Sequence, residues 1–253
     1  MPREPHTGMW YADHRDPTVH RTPTVMIHGA GGSHLDWPAE LRRLAEANAI
    51  APDLPGHGRS AGPGRTALGA YAADVVALLD QLKVAQAVVL GFSMGGAIAQ
   101  LIALHYPDRV AGLVLVGTGA QLNVNPAILT GLRADFAATV ERVVGWQWAA
   151  GHEQQQRLSL RRQLETDPDV YYRDFHACAS FDVRDQLSRV RAPTLVIGGT
   201  ADRMTPYRQS EELRDLIPGA ALATIEGGGH MMLLEQPQVA ADIVRGWLLT
   251  VEP

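Results

Sequence analysis

Residues 87 to 96 run Ala87-Val88-Val89-Leu90-Gly91-Phe92-Ser93-Met94-Gly95-Gly96. The first part of this stretch is a short, apolar and β-branched run, which predicts a strand buried on both faces. Residues 97–104 favour a helix and contain no helix breaker before Pro107. Ser93 is therefore predicted to lie at a sharp corner between a strand and a helix.

Glycines flank Ser93 at positions 91 and 95. Neighbouring chain crowds the backbone at such a corner, so a Cβ atom at either position is expected to clash. This spacing between a strand and a helix is typical of a nucleophile elbow, which presents a serine hydroxyl at a helix N-terminus. The helix dipole and the Met94 amide would then stabilise an oxyanion beside it. The alternative is a serine that only caps the helix.

Length and composition limit the classes of protein to consider. The chain has 253 residues, 46% of them hydrophobic, which suffices for one large core and disfavours a separate second domain. The net charge of −5 and the scattered Lys and Arg residues disfavour nucleic acid as a partner. No apolar run reaches the ~18 residues that a membrane span needs, and the N-terminus lacks the apolar segment of a signal peptide.

The number of cysteines indicates whether the protein works in a reducing or an oxidising compartment. Cys178 is the one cysteine, which excludes an internal disulfide and fits a reducing environment. We expect a cytoplasmic protein with no membrane partner, either monomeric or homodimeric. Cys178 itself is expected to be a packed small residue and not a catalytic thiol, because no strand-turn-helix setting surrounds it.

Short apolar runs alternate with helical periodicity along most of the chain. Strands are predicted at 9–12, 23–27, 49–51, 87–92, 110–116, 194–197 and 221–225. Helices are predicted at 35–47, at 67–82 with Thr66 as N-cap, and at 94–105, 206–217 and 239–249. This alternation predicts an α/β fold: a mostly parallel, doubly wound sheet of about seven or eight strands flanked by helices. Active sites in such sheets lie beyond the carboxyl ends of the strands.

The pattern changes between residues 118 and 190. No buried strand is found there, and residues 126–149, 153–166 and 168–180 have helical character. Because ordinary connections are only a few residues long, this stretch predicts a helical cap inserted after the sixth strand, counted in a sheet of eight strands. Residues 1–117 and 191–253 would form the core.

Five Trp and Phe residues of the cap are candidates to face inward, toward a substrate pocket: Phe136, Trp146, Trp148, Phe175 and Phe181. The alternative is that they form only the core of the cap itself. The predicted pocket residues, from cap and core together, are Gly29, Phe92, Phe136, Trp146, Trp148 and Met231.

A serine nucleophile needs a general base, and His230 is the strongest of the ten histidines. It follows a predicted strand through three glycines, so its side chain can reach the carboxyl edge of the sheet. His28 also follows a strand, but the glycines after it suggest that its loop acts through the backbone. His57 lies in a Pro/Gly loop and is expected to support a turn, and His105 lies at the far end of the Ser93 helix.

The acid that orients the base is predicted to be Asp202. It follows the strand at 194–197 and precedes His230, which gives the chain order serine, acid, histidine. Its alternative role is to cap the next helix. Asp53 also follows a strand but precedes Ser93, and its Asp-x-Pro-Gly setting favours a turn capped by the carboxylate. Asp182 and Asp185 have no strand before them.

The second oxyanion donor should come from the loop after the strand at 23–27. Glycines at 29, 31 and 32 leave its backbone uncovered, and we expect the Ala30 amide to converge with that of Met94. The alternative is a phosphate cradle. A dinucleotide loop would need glycine where His34 stands, and the partial match at 56–61 opens no helix. Neither a Gly-Lys-Ser/Thr phosphate loop nor a His-Glu-x-x-His metal motif is present, so no metal site is predicted.

With these residues in place the chain resembles the α/β-hydrolase family over nearly its whole length. Five motifs in the expected order make this resemblance more specific than any single motif. They are the segments 28–32, 53–60, 91–96, 198–202 and 229–230. The resemblance implies a structural turn at 53–60, a lid at about 118–190 and no metal or organic cofactor. The family usually opens with an antiparallel hairpin, and the N-terminal segment is short and polar for a full one.

The expected function is that of a serine hydrolase acting on carboxylic esters of small to medium acyl substrates through an acyl-enzyme on Ser93. Alternatives with the same three residues are a lactonase, a carbon-carbon bond hydrolase or a lyase. A non-catalytic member of the fold that binds a small molecule is a further alternative. A serine at position 93 argues against dehalogenase or epoxide hydrolase chemistry, for which the family uses a carboxylate at the elbow.

Overall fold

A computed structural model describes residues 8–251 of the chain. Residues 1–7 and 252–253, the two ends of the predicted core, lie outside the described residues. Seven strands form one sheet in the spatial order β1-β3-β2-β4-β5-β6-β7. The strands are β1 (Tyr11–Asp13), β2 (Thr24–Ile27), β3 (Ile50–Pro52), β4 (Ala87–Phe92), β5 (Val110–Val116), β6 (Thr194–Gly199) and β7 (Ala221–Ile225).

All strand pairs are parallel except the first. Strand β1 pairs antiparallel with β3, Tyr11 opposite Pro52, and covers one edge of the sheet. The family's opening hairpin is thus represented by this single short strand within residues 8–251. The predicted α/β class with a mostly parallel sheet is confirmed.

Helices cover both faces of the sheet because its central strands are apolar on both faces. Val89 of β4 joins an apolar layer with α2 and α3, whereas its neighbour Leu90 joins the layer on the opposite face. The helices are α1 (Ala39–Arg42), α2 (Leu68–Gln81), α3 (Met94–His105), α4 (Pro126–Ala134), α5 (Phe136–Gln147), α6 (Glu153–Leu164), α7 (Pro168–Ala179), α8 (Tyr207–Leu216), α9 (Met232–Glu235) and α10 (Pro237–Val251).

The helices α4 to α7, called the helical insertion below, lie between β5 and β6. The prediction of an insertion after the sixth strand was therefore wrong by one strand, because only one short strand stands where a full hairpin would add a second. The division into a core of 1–117 and 191–253 with a cap at 118–190 stays a prediction.

Three predicted helices differ from those observed. The helix expected at 35–47 is reduced to a 3₁₀ turn (His34–Asp36) and the single turn α1, since Pro38 interrupts the run. The helix expected at 126–149 is two helices, because Asp135 adopts an extended backbone and caps α5. The N-cap of α2 is Ala67, one residue after the predicted Thr66, and its side chain makes no capping hydrogen bond.

Within residues 8–251, no helix combines the length and the apolar character that crossing a lipid bilayer would require.

Candidate active site

Ser93 occupies the corner between β4 and α3 in a conformation that few side chains adopt. Its backbone has φ 53° and ψ −118°, in a sparsely populated region that costs about 1–3 kcal/mol to maintain. Gly95 allows this corner to pack against β2, because a Cβ atom there would overlap the carbonyl oxygen of Ile27. The tight turn leaves the Ser93 side chain at the carboxyl edge of the sheet.

His230 meets Ser93 at this edge. Its Nε2 lies 3.0 Å from Oγ of Ser93, and its Nδ1 lies 2.9 Å from Oδ2 of Asp202. Because an ionised carboxylate only accepts hydrogen bonds, Nδ1 carries the ring proton and Nε2 is left to accept the serine proton. The structure thus brings together three side chains that lie far apart in the sequence.

Asp202 is held as a carboxylate. The amides of Met204 and Thr205 donate to Oδ1 at 2.8 and 2.9 Å, and the Thr205 hydroxyl donates to Oδ2 at 2.8 Å. Burial raises the pKa of Asp202, but His230 and the hydrogen bonds from Thr205 outweigh burial, and the net pKa lies below its ordinary value. Asp202 therefore remains charged and can stabilise an imidazolium at His230. Thr205 was missed by the sequence analysis, since nothing in its local pattern marks it.

The loop after β2 lies directly against the serine. A Cβ atom added to Gly29 would stand 3.2 Å from Cβ of Ser93. Ala30 lines the cavity beside Ser93, and among residues 8–251 no hydrogen bond takes up the Ala30 or the Met94 amide. Convergence of these two amides on one oxyanion stays a prediction.

A cavity of about 410 Å³ opens beside Ser93 and His230. It is lined by four of the six residues predicted for a substrate pocket, which are Gly29, Phe92, Trp146 and Met231. Further lining comes from the helical insertion, including the inward-facing candidate Phe175, and from loop residues that the sequence analysis did not assign to the pocket. These other residues include Asp36, Leu122, Asn123, Ile128, Gln147, Gln163, Arg203 and Met204.

Two predicted pocket residues do not line this cavity. The Phe136 ring packs edge-on against Tyr171, with ring centroids 5.6 Å apart. Trp148 is buried just after the end of α5 and lines a second cavity, of about 320 Å³, beside α6. Phe136 is the first residue of α5, and Trp148 follows its last residue with an extended backbone, so both rings lie at the ends of this helix.

The polar part of the cavity wall comes from residues far apart in sequence. The Gln163 side chain donates to Oε1 of Gln147 at 2.8 Å. Asp36 lines both cavities, and its Oδ2 accepts a hydrogen bond of 3.2 Å from the Ser33 amide. Burial raises the pKa of Asp36 to about 6. A carboxyl group whose ionisation is disfavoured by burial thus borders the cavity beside Ser93.

Three of the other candidate bases and acids have structural partners. Nε2 of His28 accepts from the Leu54 amide at 3.0 Å, so its Nδ1 donates to the Gly29 carbonyl at 2.8 Å. Burial lowers the pKa of His28 to about 4, which keeps this ring neutral. Asp53 accepts from the His34 and Arg59 amides, which confirms the predicted turn. Asp182 pairs with Arg184 at the surface.

Cys178 borders the cavity but is not poised as a nucleophile. Burial raises the pKa of its thiol well above the ordinary value, so the sulfur stays protonated. Across residues 8–251, no three His, Cys, Asp or Glu side chains are grouped so as to hold a metal ion.

Comparison with known proteins places this chain in a family. Residues 24–243 match the family model described as the alpha/beta hydrolase family. The chain is 32% identical to a pimeloyl-(acyl-carrier protein) methyl ester esterase of Aromatoleum aromaticum, over 90% of this chain and 100% of that protein. It is 28% identical to a putative carbamate hydrolase RutD of Pseudomonas syringae pv. syringae, over 90% of this chain and 94% of that one.

The fold comparison agrees with the sequence comparison. A solved structure of an N-acyl homoserine lactone degrading enzyme superposes with a TM-score of 0.83 and 27% identity, covering 94% of this chain and 96% of that one. The family model spans most of the chain, and the elbow, the sheet order and the edge site are all of the expected kind. The chain belongs to the alpha/beta hydrolase family.

Proposed function

We propose that this protein is a serine hydrolase that cleaves carboxylic esters of small to medium acyl groups. The observation that carries the proposal is the continuous set of hydrogen bonds from Ser93 through His230 to Asp202 at the wall of a cavity. Family membership supports hydrolysis in general, and the three side chains support the covalent route in particular.

The reaction follows from the protonation states at the site. Nε2 of His230 takes the proton of Ser93 as Oγ forms a bond to the ester carbonyl carbon. The amides of Ala30 and Met94 stabilise the resulting oxyanion, and the charge of Asp202 stabilises the imidazolium. His230 then protonates the departing alcohol, which leaves an acyl group on Ser93. Water attacks this acyl-enzyme by the same route and releases the acid.

The cavity supports the size range of the substrate. Its volume of about 410 Å³ lies at the lower end of the ~300–1,000 Å³ found for small-molecule sites. Its wall is mainly apolar near Phe92, Trp146 and Met231, which suits a short acyl chain. We further propose a cytoplasmic protein that acts on a free small molecule.

A lactone is the second candidate substrate, because the same chemistry opens a cyclic ester. The superposed structure described as degrading an N-acyl homoserine lactone favours this candidate over carbon-carbon bond cleavage or a lyase reaction. A non-catalytic binding protein remains the alternative from another class.

Hydrolysis and labelling experiments test the proposal together. The wild-type protein is assayed with p-nitrophenyl esters from acetate to dodecanoate and with several lactones, and it is titrated with a fluorophosphonate. We expect turnover of short esters and labelling at Ser93, with both lost in Ser93→Ala. Labelling without any ester or lactone turnover would favour a binding role, and labelling at a residue other than Ser93 would overturn the proposal.

A further inference from the structure

The helical insertion holds the residue that follows Ala30 by both of its backbone polar groups. The amide of Gly31 donates to Oδ2 of Asp174 on α7 at 2.9 Å. The carbonyl of Gly31 accepts from the hydroxyl of Thr166, just before α7, at 3.2 Å. Hydrogen bonds from the helical insertion thus hold a core loop that lies beside the candidate nucleophile, Ser93.

Side-chain packing reinforces these two hydrogen bonds. Gly31 has φ +63°, and a Cβ atom there would overlap the ring of Tyr171 on α7. The Tyr171 hydroxyl donates to Oε1 of Gln163 on α6 at 2.8 Å, so the ring is itself anchored. Only glycine meets both the backbone and the space requirements at this point.

Asp174 is in turn anchored to the core. It is fully buried, its Oδ1 accepts from the Tyr71 hydroxyl at 2.8 Å, and its Oδ2 lies 2.7 Å from Nε2 of His57. Tyr71 belongs to α2, and His57 belongs to the loop after β3. One carboxylate therefore joins α7 to three separate core segments.

His57 is protonated on both ring nitrogens, so its contact with Asp174 is an ion pair. Its Nδ1 faces the Pro55 carbonyl at 3.1 Å, and its Nε2 faces Asp174. Since both partners only accept hydrogen bonds, both ring nitrogens carry protons and the ring is charged. Burial lowers the pKa of His57, but the Asp174 carboxylate raises it by more, so the net pKa lies above the ordinary value of a histidine. Removing one member of such a buried pair leaves an uncompensated charge.

The orientation of the Ala30 amide depends on two neighbouring peptide planes. The Gly29–Ala30 plane is fixed at its carbonyl, which accepts from the Gly32 amide at 3.1 Å and from Nδ1 of His28 at 2.8 Å. The Ala30–Gly31 plane is fixed at its amide by Asp174. Because each peptide unit is planar, the Ala30 N–H lies in the Gly29–Ala30 plane, and anchoring the Ala30–Gly31 plane restrains the two backbone torsions of Ala30 that would turn this N–H.

We propose that Asp174 is a positioning residue, which aims the Ala30 amide at the reaction's oxyanion by holding Gly31, so that the helical insertion completes the oxyanion site. This inference rests on the proposed function. It gives the insertion a role in the chemical step in addition to shaping the cavity. Misdirecting one such donor is expected to lower kcat by about 10- to 100-fold.

The decisive variant is Asp174→Asn, which keeps the side-chain volume, removes the charge and leaves one acceptor oxygen where Gly31, Tyr71 and His57 use two. We expect kcat for a p-nitrophenyl ester to fall by about 10- to 100-fold with little change in KM, and binding of a trifluoromethyl ketone, which forms an oxyanion on Ser93, to weaken by a similar factor. Asp169→Asn on the same helix is the matched control, because Asp169 is exposed and, among residues 8–251, its side chain pairs only with Arg133. The control should leave kcat unchanged.

A second variant and a second readout keep the test independent of folding and of the proposed reaction. Thr166→Val removes the other hydrogen bond to Gly31 and should lower kcat in the same direction, whereas Thr166→Ser should restore it. Hydrogen exchange of residues 29–32 should quicken in Asp174→Asn and in Thr166→Val. Unchanged exchange, or unchanged kcat in both variants, would overturn the inference. A wild-type protein that hydrolyses nothing would overturn the proposed function, while exchange would still decide whether Asp174 holds the loop.

Discussion

The Thr205 hydroxyl donates a 2.8 Å hydrogen bond to Oδ2 of Asp202. That oxygen is the one that Nδ1 of His230 also contacts, at 2.9 Å. Oγ1 of Thr205 is itself 3.2 Å from this Nδ1, so the three groups form a small triangle. Thr205 thereby fixes the rotation of the carboxylate and, through it, the plane of the imidazole.

Removing the Thr205 hydroxyl should lower the rate of catalysis, although the other residues of the site remain. In Thr205→Val the carboxylate loses one charge-assisted hydrogen bond, and we expect kcat to fall by about tenfold. Thr205→Ser keeps the donor and should stay close to the wild-type rate. Steady-state kinetics with one p-nitrophenyl ester measure both variants. Equal loss in the valine and serine variants would show that the methyl group matters and not the hydrogen bond.

Asp202→Asn tests the acid itself. The amide would reverse the hydrogen bond to Nδ1 and favour the tautomer with its proton on Nε2, which cannot accept the proton of Ser93. We expect kcat to fall by about 10⁴ while KM changes little. Asp185→Asn, at an exposed position, serves as the control. A loss of less than about tenfold would mean that another group orients His230.

The sheet could be predicted from the sequence, and so could the position of three side chains at its carboxyl edge. The strands are continuous apolar runs, and Ser93, Asp202 and His230 each follow one of them within a few residues. Because parallel strands end at one edge, local patterns also fix where these side chains meet. Two of these features can be recognised from the local sequence alone: the glycine run before His230 and the strand-to-helix corner at Ser93.

The wall of the cavity could not be predicted in the same way. Asp36, Gln147 and Gln163 come from three separate elements, and only the packing of the helical insertion on the core brings them to one space. Asp174 shows the same limit, since its partners lie 103, 117 and 143 residues away in the sequence. Such residues have no local pattern, because their roles arise from long-range contacts.

Trp146 should set the acyl preference, whereas Trp148 should not. Trp146 lines the cavity beside Ser93, and Trp148 lies outside it. Trp146→Ala enlarges the substrate space, so we expect the ratio of kcat/KM for octanoate over acetate esters to rise by about tenfold. Trp148→Phe should lower thermal stability and leave this ratio unchanged. A shift in both variants, or in neither, would contradict the assignment of the cavity wall.

Packing at the elbow predicts a severe effect at Gly95. In Gly95→Ala the new methyl group would overlap the Ile27 carbonyl, which belongs to the backbone of β2 and cannot give way cheaply. We expect loss of soluble protein or a midpoint of urea unfolding far below that of the wild type. Gly246→Ala in α10 is the matched control, since nothing lies within 4 Å of its added Cβ. This control should stabilise the protein by about 1 kcal/mol.

Asp36 should make stability depend on pH in a direction opposite to that of most carboxylates. Asp36 is partly buried and lines both cavities, and burial raises the pKa of its carboxyl from 3.8 to about 6 against the opposing effects of the Ser33 amide and Arg162. The folded protein therefore holds this proton more tightly than the unfolded chain does. The contribution of Asp36 to the free energy of unfolding must fall as the pH rises from about 4 to about 6.

The variant Asp36→Asn removes that titration and keeps a side-chain oxygen for the Ser33 amide. Near pH 4 it should match the wild type, because Asp36 is then neutral in the folded protein. Above about pH 6 it should be more stable by the order of 2 kcal/mol, the free energy that the buried charge costs the wild type. Urea unfolding at both pH values measures the difference, with Asp185→Asn as an exposed control. A stability difference that is the same at both pH values would show that the Asp36 carboxylate titrates alike in the folded and unfolded chain.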